Sequence, residues 1–211
     1  MIRRIMQFIA TLSLLMPVIL WAQHHNTKTD PSMSKKKPKM TDAQKIANAK
    51  SAAPAAIAKN ATIMDWPDTP EGKARQLRAG TNGWVCFPNS PGSFGGASLN
   101  DPMCFDKQWQ AWGDAWMSKT APNVTGSGLA YMLAGDRGAS NTDPFATGRT
   151  ADNQWVVSPA HVMVIYKDLT MLDAFPTDPM NGGPWVMWKG TPYAHLMVPV
   201  ANTKTATMPP K

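Results

Sequence analysis

Glutamate is nearly missing from this chain. Glu71 is the only one in 211 residues, so paired-carboxylate glycosidase chemistry would have to rest on aspartates alone. Cysteine is scarce as well. Cys86 and Cys104 are the only two, and nothing resembles a Cys-x-x-Cys redox motif. No Gly-x-Ser-x-Gly, His-Glu-x-x-His or phosphate-binding glycine loop occurs, which removes the usual signatures of serine hydrolases, zinc proteases and nucleotide-binding loops. Beyond the N-terminal apolar run, no segment is apolar enough to cross a membrane. The body of the chain also lacks a basic excess. Residues 60–200 hold nine Lys and Arg against twelve Asp and Glu, a net of −3, although the whole chain is formally +7. A nucleic-acid binder carries its basic face on the folded domain, so nucleic acid is not expected as a partner.

The basicity sits at the ends. Arg3 and Arg4 precede an apolar stretch from Ile5 to Trp21, with Ala22 at a cleavage position. That layout predicts a secretory signal peptide over residues 1–22. At about 17 residues the stretch is at the short limit for a membrane anchor. The mature protein is therefore expected to be periplasmic or secreted and not integral to a membrane. Residues 23–41 carry Lys28, Lys35, Lys36, Lys37 and Lys39 against Asp30 alone, with no aromatic residue. Such a segment cannot bury enough surface to order itself. It reads as a disordered basic leader, able to touch anionic envelope components. Residues 202–211 read as a disordered tail.

What remains, 42–201, is long enough for one globular domain with a core of its own. It is rich in Trp, Met, Gly and Pro. Asp42 is placed to cap an N-terminal helix reaching about residue 52. Thr62–Trp66 and Lys73–Arg78, joined by a turn-rich segment, predict a hairpin. Asp101-Pro102 predicts the start of a central helix over about 102–118. Within it Phe105, Trp109, Trp112 and Trp116 recur at helical spacing on one face. An aromatic row can be a sugar platform, but at this periodicity it reads as a core face. Strands are expected over 128–134, 155–157, 161–166, 185–188 and 195–200. Together these predict an α+β domain with a mostly antiparallel sheet.

Two features carry possible chemistry. In an exported chain an even cysteine count favours a disulfide, Cys86–Cys104, clipping a Gly- and Pro-rich loop. The second feature is a local echo. Ser158-Pro159-Ala160-His161-Val162-Met163-Val164 resembles Pro192-Tyr193-Ala194-His195-Leu196-Met197-Val198. On a strand, His and Met two apart point the same way. Were the two strands neighbours, His161, Met163, His195 and Met197 would offer imidazole and thioether donors, a set suited to copper and above all to Cu(I). Gln23-His24-His25 would chelate Cu(II) at a cleaved N-terminus. Otherwise no cofactor is expected. His161 and His195 are the only histidines of the domain. Asp136, Asp143 and Asp178, with Ser140 and Ser158, are their conceivable partners in a hydrolase. No catalytic residue is assigned, and the reading leans away from an enzyme. It favours an exported, soluble, non-enzymatic binding or structural module, with a copper-binding envelope protein as the alternative and a secreted hydrolase behind it.

Overall fold

Thr41, not Asp42, caps the first helix. Its hydroxyl accepts from the Gln44 amide, and its own amide donates to the Gln44 side-chain oxygen. This reciprocal box satisfies two orphan donors at once. Asp42 is left free to bind Arg75. The computed structural model describes residues 40–69, 72–90, 100–136, 138–200 and 206–207. The expected signal peptide and residues 23–39 of the expected basic leader lie outside the described residues, while Thr41, the last residue expected in that leader, caps the first helix.

Helix α1 (Asp42–Lys50) and the short α2 (Ala55–Ala58) precede strands β1 (Thr62–Asp65) and β2 (Arg75–Arg78). These two pair antiparallel as the expected hairpin. β3 (Val85–Phe87) pairs parallel with β1, and β4 (Met103–Phe105) pairs antiparallel with β3. The central helix α3 is Lys107–Met117. It therefore starts at Lys107, not at Pro102. Asp106 caps it through the amides of Gln108 and Trp109, and the residues before it extend as β4. Asp101 instead binds the Ser90 amide and hydroxyl.

β5 (Gly128–Met132), β8 (His161–Ile165), β9 (Trp185–Met187) and β10 (His195–Pro199) complete one sheet. Its order is β2-β1-β3-β4-β5-β8-β10-β9, eight strands, all antiparallel except β1 with β3. β6 (Ala139–Ser140), β7 (Trp155–Val157) and β11 (Ala206–Thr207) form a small second sheet. β11 falls in the stretch expected as a tail, and it pairs with β7.

Alternation sends the strand side chains into three apolar clusters. On one face of the large sheet, α3 covers Ala130, Met132, Met163, Ile165, Trp185, Met187 and Met197. On the other face α1 and α2 cover Ile63, Cys86 and Cys104. Farther along that same face the 3-10 turn Leu169–Ala174 covers Val186 and Leu196 with Leu172. Coverage on both faces explains why β9 reads as an unbroken buried run. Cys86 and Cys104 are direct cross-strand partners on β3 and β4 and form the expected disulfide.

Candidate functional site

Between α3 and the sheet lies a cavity of about 530 Å³, within the range that holds a small organic ligand. Each neighbouring strand contributes its alternate residues. Met64, Phe87, Met103, Phe105, Met132, His161, Met163, Met187, His195 and Met197 come from the sheet; Trp109, Trp112, Trp116 and Met117 come from α3. Seven of the fifteen methionines of the chain thus line one space. Methionine walls are soft and adapt to irregular occupants.

The aromatic face of α3 is core, as its spacing predicts for the helical part. Trp109 and Trp112 are 2% and 7% exposed. Phe105 and Trp116 are half-buried. Phe105 reaches the row from β4, with its ring stacked on Trp109 at 6.0 Å. The rings of Phe145, Trp116, Trp188 and Trp112 run nearly parallel, at successive centroid distances of 6.2, 6.5 and 5.9 Å. They stack on one another and do not present one exposed plane. Trp188 has φ of 56°, a backbone conformation that a bulky residue rarely adopts. It is held there by bonds from its amide to Asn141 O and from its indole to Ser140 O.

His161 and His195 lie in one sheet on adjacent strands, β8 and β10, and on the same face. Met163 and Met197 are direct cross-strand partners, and His161 opposes Pro199. Continuing that register sets His195 opposite Ile165. The two imidazoles are therefore offset by four residues, about 13 Å along the strands, with the methionine pair between them. On the outer sides Met132 of β5 opposes His161, and Met187 of β9 opposes His195.

Both imidazoles are fully buried and similarly held. His161 Nδ1 donates to Pro159 O at 2.7 Å and His195 Nδ1 to Tyr193 O at 3.0 Å, in each case the carbonyl two residues back. A donating Nδ1 leaves the lone pair of a neutral ring on Nε2. Burial pushes the His195 pKa down to about 4, against the Tyr193 carbonyl bond that raises it; His161 adds a small push downward. The His195 ring sits 5.4, 5.7 and 5.0 Å from those of Trp109, Trp112 and Trp188. Among the described residues, His161 Nε2 and the indole nitrogens of Trp109 and Trp112 line the cavity buried and with no hydrogen-bond partner. Burying such groups unsatisfied costs about 1–3 kcal/mol each, so they mark a place where a ligand can compensate.

Asp136 also lines the cavity. Desolvation raises its pKa, opposed by its electrostatic interaction with His161 and by the Ser158 and Gly138 amides. The other conceivable hydrolase groups hold turns. Ser140 Oγ accepts from the Thr142 and Asp143 amides. Asp143 and Asp178 accept from the amides of Phe145 and Met180. Ser158 Oγ makes no bond to His161, so these two form no serine–imidazole pair. Sequence reasoning found the histidines and two of the methionines. It missed Met132, Met187 and Trp188, whose signal is the short pattern Met-x-x-Gly shared by Met132–Gly135 and Met187–Gly190. No family model, curated protein or solved structure matches the chain.

Proposed function

We propose that this is an exported binding protein that takes a small, largely apolar ligand into the cavity beneath α3. The observation that carries this is the cavity wall: methionine and aromatic side chains around a few unsatisfied polar atoms, the composition of a ligand site. The indole N–H groups of Trp109 and Trp112 offer hydrogen bonds to an acceptor, and His161 Nε2 accepts one from a donor. The disulfide fits an oxidising compartment. No helix among the described residues is long and apolar enough to cross a membrane. An intact mass beginning at Gln23 in the exported protein would support the signal-peptide assignment over residues 1–22.

N-phenyl-1-naphthylamine tests the cavity. It should bind saturably at one per chain, with energy transfer from tryptophan. Gly113 lines the cavity from α3, and a Cβ there would meet nothing within 4 Å. Gly113→Leu should fill the space and weaken uptake by about tenfold or more, roughly 1.4 kcal/mol, with the far-ultraviolet circular dichroism unchanged. Dye uptake indifferent to Gly113→Leu would overturn the reading.

A second reading is copper binding on the sheet face that carries His161, Met163, His195 and Met197, where the four-residue offset sets the two imidazoles too far apart to share one ion. It is favoured by the imidazoles. Ligating histidines usually donate their other ring nitrogen to a carbonyl or carboxylate, as Nδ1 of both rings does here. Competition for Cu(I) against bicinchoninate tests it, in a chain with His24→Ala and His25→Ala to remove the N-terminal chelate. His161→Ala and His195→Ala should each weaken uptake. Uptake unchanged in both would end this reading.

A further inference from the structure

The echo between the two His-x-Met strands extends through the structure. β5 and β8 form one antiparallel pair, β9 and β10 another, and the two pairs join along β8 and β10. A local two-fold axis through the Met163–Met197 pair carries His161 onto His195. The same rotation carries Met132, opposite His161, onto Met187, opposite His195. Three residues beyond each of these methionines, Gly135 and Gly190 turn the chain at φ of 77° and 83°. Each half is thus one hairpin, Met-x-x-Gly followed by His-x-Met. The first holds a long insertion, residues 136–157, within its turn.

We propose that this doubled hairpin makes two equivalent Cu(I) sites, each of one imidazole and two thioethers: His161 with Met132 and Met163, and His195 with Met187 and Met197. The proposal rests on the copper reading above and assigns its donors to two separate ions. Cross-strand partners stand about 5 Å apart, and residues two apart on one strand about 6.6 Å, so each trio lies on one small patch of sheet face. The 13 Å offset between the histidines sets the patches apart. The chemistry suits a soft monovalent ion. Imidazole and thioether bind metals as uncharged ligands, and soft thioethers select Cu(I) over harder ions. A single positive charge is also less costly than a double one in an apolar cavity. Among the described residues no group of three or more His, Cys, Asp or Glu gathers to hold a harder metal. Around His195 the rings of Trp109, Trp112 and Trp188 add π-systems that can face a desolvated cation.

The test is anaerobic Cu(I) titration of the full chain carrying His24→Ala and His25→Ala, read by bicinchoninate competition and tryptophan fluorescence. Two ions per chain are expected. Met→Leu keeps volume and apolarity and is tolerated in cores at under about 1.5 kcal/mol. Met132→Leu should remove one ion and leave the fluorescence response of the His195 site. Met187→Leu should remove the other ion and most of that response. A single ion, lost in Met163→Leu or Met197→Leu but kept in both Met132→Leu and Met187→Leu, would leave the copper reading standing and overturn the paired sites. Two ions indifferent to Met132→Leu and Met187→Leu would overturn them as well. No uptake at all would sink both the paired sites and the copper reading.

Discussion

Trp112 touches four rings. It is tilted against Trp109, stacked on Trp188, and edge-on to Tyr193 and His195. Removing it empties a site between α3 and the sheet. Trp112→Ala should therefore cost about 3–5 kcal/mol, the usual range for a buried aromatic, measured by urea unfolding. A loss under about 1 kcal/mol would show that the helix collapses onto the cavity. His195 makes a prediction of a different kind for the metal-free protein. Its folded pKa of about 4 lies below its ordinary 6.5. Above pH 6.5 the ring is neutral in both the folded and the unfolded chain. Between 6.5 and 4 the unfolded chain takes up a proton that the folded chain does not, so stability falls as pH falls. Below 4 the loss is complete, at about 3 kcal/mol. Asp136 works in the opposite sense: its raised pKa favours the folded state at low pH and loses that contribution as pH rises through the folded value. Comparing the native chain with His195→Gln, in which Asp136 is kept, isolates the histidine. The variant should show the shallower slope between pH 4 and 6.5, and equal slopes would refute the neutral buried ring.

Helix α3 shows both how far the sequence could be read and where it stopped. The spacing of Trp109, Trp112 and Trp116 placed a core-facing helix correctly, because periodicity of 3.6 is a property of one segment. Its start was misread because Asp101-Pro102 and Asp106 are both capping signals. Only the pairing of Met103–Phe105 with β3 and β5 decides between them. Most strands were legible by alternation, since each signal is local. The order in which they pair was not. Met132 and Met187 complete the His-Met face only once β5 and β9 flank β8 and β10, and the insertion over 136–157 hides the first hairpin from a sequence scan. Gly113 offers a test at this scale. It sits mid-helix, where glycine costs about 1 kcal/mol relative to alanine, and a Cβ there meets nothing. Gly113→Ala should raise stability by about 0.5–1 kcal/mol, seen as a higher urea midpoint. A loss would mean that the helix face at the cavity is already full.

The molecule uses the two faces of its large sheet differently, and β4 shows the division in three residues. Met103 and Phe105 line the cavity, while Cys104 between them packs with α1 and α2 on the opposite side. The disulfide therefore stabilises the sheet from the side away from the candidate ligand site. It ties residues separated by 18 positions, a closure worth about 3 kcal/mol in the chain-entropy model. Against a typical net stability of about 5–15 kcal/mol, that is a large share, and a protein folded in a reducing compartment would forgo it. Replacing both Cys86 and Cys104 with Ser should lower the unfolding free energy by about 3 kcal/mol. Native protein should show no free thiol by titration. Dye uptake by the Ser variant, measured well below its unfolding midpoint, should stay within about twofold of the native value, because nothing in the cavity wall has changed. If uptake were lost while the near-ultraviolet tryptophan spectrum stayed native, the two faces would be coupled. The bond would then have to be counted as part of the site and no longer as a clip behind it.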